Sequence, residues 1–487
     1  MTATVPRLTS ASPRTTRRTH PGVAPIVVGL LGFVTSLIGI TSTSIWYDEA
    51  ATITSSTRSW PQLAEMLGTV DAVHGAYYAV MHVVFEVVGY SPLALRLPSA
   101  IAVGLTAAAV VLFARQFGRP RLGVIAAAVF LLLPRTTWMA TEGRSYAITA
   151  LLAILVTMAL AHAVHAKTRR SWVVYGILVV LSCTVFIYLA LVIVAHAVAM
   201  AAHSQARRWF IASGAAAVVL LPFALLVISE SGQVSWLGVP KLQQVLLAQW
   251  FYTSIPFAVV GWALVIAGSI FLTRSPGFSI GRLVVPIIIL PTALLVAVSF
   301  AMPLYTPRYL SMCLPFVAIA AAAVLDRLRP TVRVVAVLAL LLALAVPQAI
   351  EQRQPEARDD AAWPQVAAFI AADRGDAAVA IIYGPVYGHP TATARVMAYA
   401  YPEAFANTVD ATIVTPAAES GRLWETTAPL SSTLDRLDNV EVTYLITSTS
   451  RDLRSQTTAT MLLDGWHVAS TASFTHVNVI RYERALP

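Results

Sequence analysis

Two adjacent carboxylates, Asp48 and Glu49, stand in a part of the chain that has almost no others. From Met1 to Ala349 there are eight: Asp48, Glu49, Glu65, Asp71, Glu86, Glu142, Glu230 and Asp326. The pair directly follows the first long apolar segment, in Trp46-Tyr47-Asp48-Glu49-Ala50. Ionisable groups near a bilayer are costly and tend to mark function. A carboxylate at this position could take a proton from an attacking hydroxyl. The competing reading is a helix end that reaches water, where an acid costs little.

Six cations supply the opposite charge: Arg58, Arg96, Arg135, Arg144, Lys241 and Arg308. All fall in segments predicted to face outward, against the bias that gathers Lys and Arg on the cytoplasmic side. A single arginine at an interface often snorkels to lipid headgroups. Several on one face, opposite two carboxylates, favour an anion held by charge-assisted hydrogen bonds. A phosphate on a lipid carrier fits, with its charge at the interface and its tail in the bilayer. Asp71 and His74 have a spacing that could ligate a metal, but local capping is the better reading, and no metal is expected. Trp46, Trp60, Trp138, Trp236 and Trp250 could stack on sugars, although an interfacial aromatic belt is the commoner use.

The elements that must position these groups are mostly apolar. The 487 residues are 57% hydrophobic and 12% charged, with mean hydropathy +0.71. Soluble domains carry about 25% charged residues, so the chain reads as a polytopic membrane protein. Its formal charge of +9 is uneven. Residues 1–349 hold 23 basic and 8 acidic groups, whereas residues 350–487 hold 10 and 16. The excess belongs to membrane-flanking loops, and no nucleic-acid partner is expected. Cys183 and Cys313 lie in apolar runs, which argues against a disulfide framework or a cysteine metal site.

Eleven segments suit a bilayer span of about 20 residues: 23–45, 93–114, 121–139, 146–166, 172–187, 188–203, 209–229, 253–273, 283–302, 309–325 and 331–349. The fifth and sixth, with Tyr188 between them, could instead be one kinked helix. The first is too long for a signal-peptide core and reads as retained. Every second loop is basic, which puts residues 1–22, a disordered basic tail, in the cytoplasm and the C-terminal region outside. Residues 23–349 then form the membrane domain. Its first outer loop, 46–92, carries amphipathic stretches at 60–67 and 75–88, the latter suited to a membrane surface. Residues 350–487 read as a small extracytoplasmic α/β domain, with helices at 361–373, 430–437 and 455–463. Strands are expected at 377–383, 411–415, 440–447 and 477–482.

Four local patterns resemble one family. They are Trp46-Tyr47-Asp48-Glu49-Ala50, His74-Gly75-Ala76-Tyr77-Tyr78 with Leu95-Arg96-Leu97-Pro98-Ser99, Thr141-Glu142-Gly143-Arg144-Ser145-Tyr146-Ala147, and Pro307-Arg308-Tyr309-Leu310. In order and placement they resemble the GT-C integral-membrane glycosyltransferases, specifically bacterial relatives of the dolichyl-phosphate-mannose protein mannosyltransferases (glycosyltransferase family 39 type). Gly75-Ala76 departs from the family's usual Pro-Pro, and Gly143 from its Ala.

The resemblance implies a mostly α, GT-C-like membrane fold and sugar transfer, with inversion, from a polyprenyl-phosphate donor. The acceptor would be a glycolipid, glycan or protein on the outer face of a bacterial plasma membrane. Mannose and arabinose are both candidate sugars. Asp48 is then the base and Glu49 an orienting group or alternative base. Arg144, Arg308, Arg96 and Lys241 hold the donor phosphate, and Tyr47, His74, Tyr77, Tyr146 and Tyr309 line the substrate. No cofactor is required, because the lipid phosphate is already a good leaving group. A transporter or flippase for a lipid-linked sugar is the main alternative, though no internal repeat of transporter type is visible. A non-catalytic glycan-binding scaffold is the second.

Overall fold

The computed structural model describes residues 22–234, 237–374 and 378–484. The expected tail at 1–21 and Trp236 lie outside the described residues.

Each of the eleven predicted segments contains a helix, although the first, predicted over 23–45, is helical only to Leu37. Among the described residues, seven helices are long and apolar enough to cross a bilayer: Pro92–Gln116, Tyr146–Ala166, Ala206–Ser229, Ile255–Thr273, Ile280–Val298, Pro307–Leu325 and Thr331–Glu351. An eighth crossing would be a broken pair, Pro120–Leu132 and Pro134–Ala140, bent by 69°. The residue before a proline is pushed out of the α region, and Leu133 is extended (φ −64°, ψ 125°). The other three predicted spans are shorter. Val23–Leu37 has 15 residues, Arg169–Val185 has 17, and Ile187–Met200 is also below span length. The last two are separate helices, broken at an extended Phe186. The chain is a multi-pass membrane protein.

Pro92–Gln116 is central and packs on Val23–Leu37, Pro120–Leu132 and Tyr146–Ala166. Glycine lets the first of these contacts close. A Cβ on Gly104 would sit 2.7 Å from the Gly29 carbonyl oxygen. Small residues at such crossings allow backbones to touch.

After Leu37 the chain turns and enters a short helix, Tyr47–Ser56, with Asp48 and Glu49 in its first turn. Carboxylates suit a helix N-terminus, where backbone N–H groups point outward. Helices Trp60–Leu67 and Gly75–Val88 follow at the same end of the bundle. Gly75–Val88 buries Tyr77, Tyr78, Met81 and Phe85 and exposes Val80, Val83 and Val87.

The C-terminal region builds a five-stranded sheet in the order Val409–Asp410, Val379–Tyr383, Val442–Ser448, Val477–Arg484, Trp466–Phe474. The first three strands are mutually parallel and the last two join antiparallel. Helices Trp363–Arg374 and Arg454–Leu463 match prediction, whereas 430–437 forms two short 3-10 turns. Strand Trp466–Phe474 was not predicted. One apolar core joins this sheet to the first loop: Trp46, Leu63, Met66, Tyr77 and Met81 share it with Trp363, Ile381, Phe405 and Trp424. Polar ties cross the same seam. Arg58 donates to the carbonyls of Arg422 and Leu423, and Thr69 to that of Gly421. The Ile45 N–H donates to the Tyr401 hydroxyl.

Candidate active site at the end of the helix bundle

Arg96 organises the turn that leads into the acidic pair. Its Nε and Nη2 donate to the two oxygens of Glu49, at 2.7 and 2.6 Å. Nη1 reaches the carbonyls of Ile40 and Thr43, and Nη2 that of Ser44. Five bonds use all five guanidinium donors. Glu49 Oε1 also accepts from the Gly143 N–H at 2.7 Å. Both side chains are fully buried. Arg96 was expected to bind phosphate and Glu49 to serve catalysis. The structure instead joins them in a saturated clamp between the first turn, the central helix and the loop around Gly143. Gly143 lets the loop approach closely, since a Cβ there would press on the Leu95 side chain and force it to shift.

Asp48, one residue earlier, faces a different environment. Arg308 Nη1 lies 2.6 Å from Asp48 Oδ2, and both side chains keep some exposure, 15% and 14%. Arg144 Nη1 donates to the Asp48 carbonyl at 3.2 Å, to Thr52 Oγ1 and to the Tyr78 hydroxyl. Tyr78 in turn donates to Asp71 Oδ2 at 2.8 Å. Burial alone would raise the Asp48 carboxyl, but Arg308 and then Arg144 outweigh it and hold it below the usual aspartate range. Asp71 goes the other way, because burial prevails over Arg144 and the Tyr78 bond. The Arg308 guanidinium lies over the Trp46 ring, 5.0 Å from its centroid.

Several polar groups in this cluster are buried and unpartnered among the described residues. They include Nε of Arg144, Nε of Arg308, both carboxylate oxygens of Glu142, Nδ1 of His74 and the Tyr77 hydroxyl. Buried polar groups are nearly always satisfied, so such a concentration needs a reason. Two unspent guanidinium N–H groups beside one carboxylate are chemically able to pair with an anion. His74 is kept neutral by burial first and by Arg144 and Arg308 next.

The structure thus brings Asp48, Arg144 and Arg308 together and places His74 and Tyr77 nearby. Tyr146 and Tyr309 join Phe186 and Tyr188 in an aromatic wall, with Tyr309 and Tyr188 centroids 4.9 Å apart. Tyr47 leans toward the C-terminal sheet region: its ring stacks on His389 at 3.7 Å and its hydroxyl accepts from Trp424 Nε1. Lys241, expected at the phosphate, is exposed. Arg135 instead donates to the Ala248 carbonyl. The tryptophan belt is also corrected. Trp46 and Trp250 are buried inside the protein, and Trp138 carries the Arg358 guanidinium 3.4 Å from its ring centroid, while Trp60 is exposed. Among the described residues, no three His, Cys, Asp or Glu side chains gather as metal ligands.

Sequence reasoning did not assign site roles to Tyr78, Asp71, Glu142 or His389. Glu142 had a signal, as one of eight carboxylates and part of a quoted motif. Burial raises its carboxyl, ahead of the opposing pull of Arg358 and Arg308. His389 had none, because it arrives from a hairpin more than 300 residues away in sequence.

No family model and no curated protein matches the sequence. Solved structures do match in fold. One is ArnT from Cupriavidus metallidurans bound to undecaprenyl phosphate, 14% identical with TM-score 0.61, covering 94% of this chain and 97% of that one. Its apo form is 12% identical with TM-score 0.62. The archaeal oligosaccharyltransferase AglB from Archaeoglobus fulgidus, in complex with an inhibitory peptide and a dolichol-phosphate, is 12% identical with TM-score 0.51. That match covers 90% of this chain and 71% of AglB. With its helix bundle, its short helices at one end and its C-terminal sheet, the chain has the GT-C fold.

Proposed function

We propose that the chain is a glycosyltransferase that moves a sugar from a polyprenyl-phosphate donor to an acceptor hydroxyl, with inversion at the anomeric carbon. The observation that carries this reading is the Asp48–Arg308–Arg144 cluster, a carboxylate beside two arginines that each keep an unpartnered N–H. The fold supports it, since ArnT is seen with undecaprenyl phosphate and AglB with dolichol-phosphate.

In one displacement the acceptor oxygen attacks the anomeric carbon as the bond to the phosphate oxygen breaks. Asp48 takes the hydroxyl proton. Arg308 and Arg144 hold the charge that builds on the departing phosphate. A phosphate beside Arg308 competes with Asp48 for the same guanidinium, so donor binding loosens the ion pair and returns basicity to the carboxylate. His74 and Tyr77 present buried polar atoms to the substrate, and Tyr146 and Tyr309 give the sugar an aromatic wall. The chemistry calls for no cofactor. The sugar is of the mannose or arabinose class, and the acceptor is a glycolipid, a glycan or a protein. In this reading the basic loops mark the cytoplasmic side, with the N-terminus inside and this site on the outer face of a bacterial plasma membrane.

The test is reconstitution in liposomes with a radiolabelled polyprenyl-phosphate sugar and a cell-envelope acceptor fraction. Label should appear in the acceptor. Movement of intact donor across the bilayer with no labelled acceptor would mean a transporter instead.

A further inference from the structure

The C-terminal sheet carries a cavity that the mechanism does not use. It holds about 450 Å³, inside the usual range of roughly 300–1,000 Å³ for small-molecule sites. Its walls include Tyr383 to Pro385, Thr412, Arg451 and Leu453, all at or just beyond the carboxyl ends of the three parallel strands. The chain leaves Val379–Tyr383 toward the edge strand Val409–Asp410 on one side. It leaves Val442–Ser448 toward helix Arg454–Leu463 and the opposite edge. Two neighbouring parallel strands with diverging connections make a switch point, and ligands of open α/β sheets bind in the crevice outside it.

The lining chemistry narrows the ligand. Thr427, Ser431, Thr457 and Thr460 supply hydroxyl groups, those of Thr391 and Thr393 being committed to Tyr47 and Glu425, and no carboxylate is among the walls. Helix Arg454–Leu463 does not offer its N-terminus to a phosphate, because the Asp452 carboxylate already accepts from the Arg454 N–H at 2.9 Å. An uncharged polyhydroxylated ligand fits both facts. The cavity is also tied to the site at Asp48. Arg451 donates to the carbonyls of Val386 and His389, both at 2.8 Å. His389 stacks on Tyr47, the residue before Asp48. Thr391, two residues further along the same hairpin, lines the cavity.

We propose that this cavity is a saccharide-binding subsite that holds one or two sugar residues of a glycan acceptor. The hairpin at His389–Thr393 is the wall it shares with the site at Asp48. This choice of acceptor rests on the glycosyltransferase reading. Binding energy from sugars remote from the reacting hydroxyl is then available to orient that hydroxyl.

The test is saccharide binding by the full chain in nanodiscs without any donor, read by saturation-transfer NMR and calorimetry. The probes are mannobiose, an arabinofuranose disaccharide and maltose. At least one should bind, and Ala428→Trp and Thr460→Tyr, which fill the cavity, should each weaken it about tenfold or more. Equal binding by the wild type and both filled variants, or no binding of any probe, would overturn the subsite. Saccharide binding that the filled variants lose, in a protein that transfers no sugar, would keep the subsite and reject the glycosyltransferase reading.

Discussion

Glu49 and Asp48 are joined by one peptide bond and have opposite surroundings. Glu49 meets Arg96 in a bidentate pair, takes a third bond from Gly143 and has no exposed surface. Every donor of Arg96 is used. Asp48 meets Arg308 through one 2.6 Å contact, beside two arginines that each keep an unpartnered nitrogen. A saturated ion pair can only hold shape. An undersaturated one can exchange partners, which is what binding a phosphate and accepting a proton both require. The clamp therefore explains how the reactive pair is placed, and the open pair explains what it does.

Breaking the clamp should have the largest effect, and on folding. Arg96→Leu leaves Glu49 buried without its partner, which costs about 3–5 kcal/mol. The yield of folded protein in detergent and its thermal midpoint should both fall sharply. Combining it with Glu49→Leu should recover part of the loss, since an apolar pair is tolerated better than a lone charge. A stable Arg96→Leu protein that has lost donor binding would return Arg96 to the phosphate site.

Breaking the open pair should cost turnover more than it costs folding. Arg308→Ala and Arg144→Ala should each cost on the order of 2–4 kcal/mol in the transition state, read as kcat/KM for the lipid donor. Lysine should restore only part, because it lacks the bidentate fork. Normal donor use by both alanine variants would leave the phosphate without its ligands.

A smaller effect concerns pH. The folded Asp48 carboxyl lies below its ordinary value, so its pairing stabilises the fold at every pH above the unfolded value of about 3.9. That contribution is lost only as pH falls through the lower folded value. Arg308→Ala removes the main force that lowers it and leaves burial, which acts upward. The acid limb of residual transfer should then move to higher pH. An unmoved limb would mean that Asp48 does not govern it.

The open pair was more legible in the sequence than the clamp. Asp48, Arg144 and Arg308 stood out because charged groups are scarce between apolar segments and these fell on one predicted face. That argument finds charges near a site but does not say which charge meets which. Arg96 and Glu49 lie 47 residues apart, and nothing local shows that Arg96 also gathers three carbonyls of the intervening turn. The same blindness applies to Lys241 and the tryptophans, whose burial depends on packing between distant elements. In the C-terminal region, Val379–Tyr383 is wholly buried and reads as an apolar run. Trp466–Phe474 is an edge strand rich in Ser, Thr and Ala and mostly exposed, so it offered no alternation to detect.

The central claim is that the two neighbours divide the work, with Asp48 for chemistry and Glu49 for structure. Asp48→Asn keeps the shape but cannot take a proton, and Glu49→Gln keeps the shape but weakens the clamp. The direct measurement compares transfer of radiolabelled sugar from a polyprenyl-phosphate donor per folded molecule, with thermal unfolding recorded on the same samples. Asp48→Asn should unfold near the wild-type temperature, bind donor and lose transfer by roughly 10²–10⁴-fold. Glu49→Gln should unfold at lower temperature while its folded fraction still transfers sugar. Near-normal transfer by Asp48→Asn, with abolished transfer by a fully folded Glu49→Gln, would contradict the account.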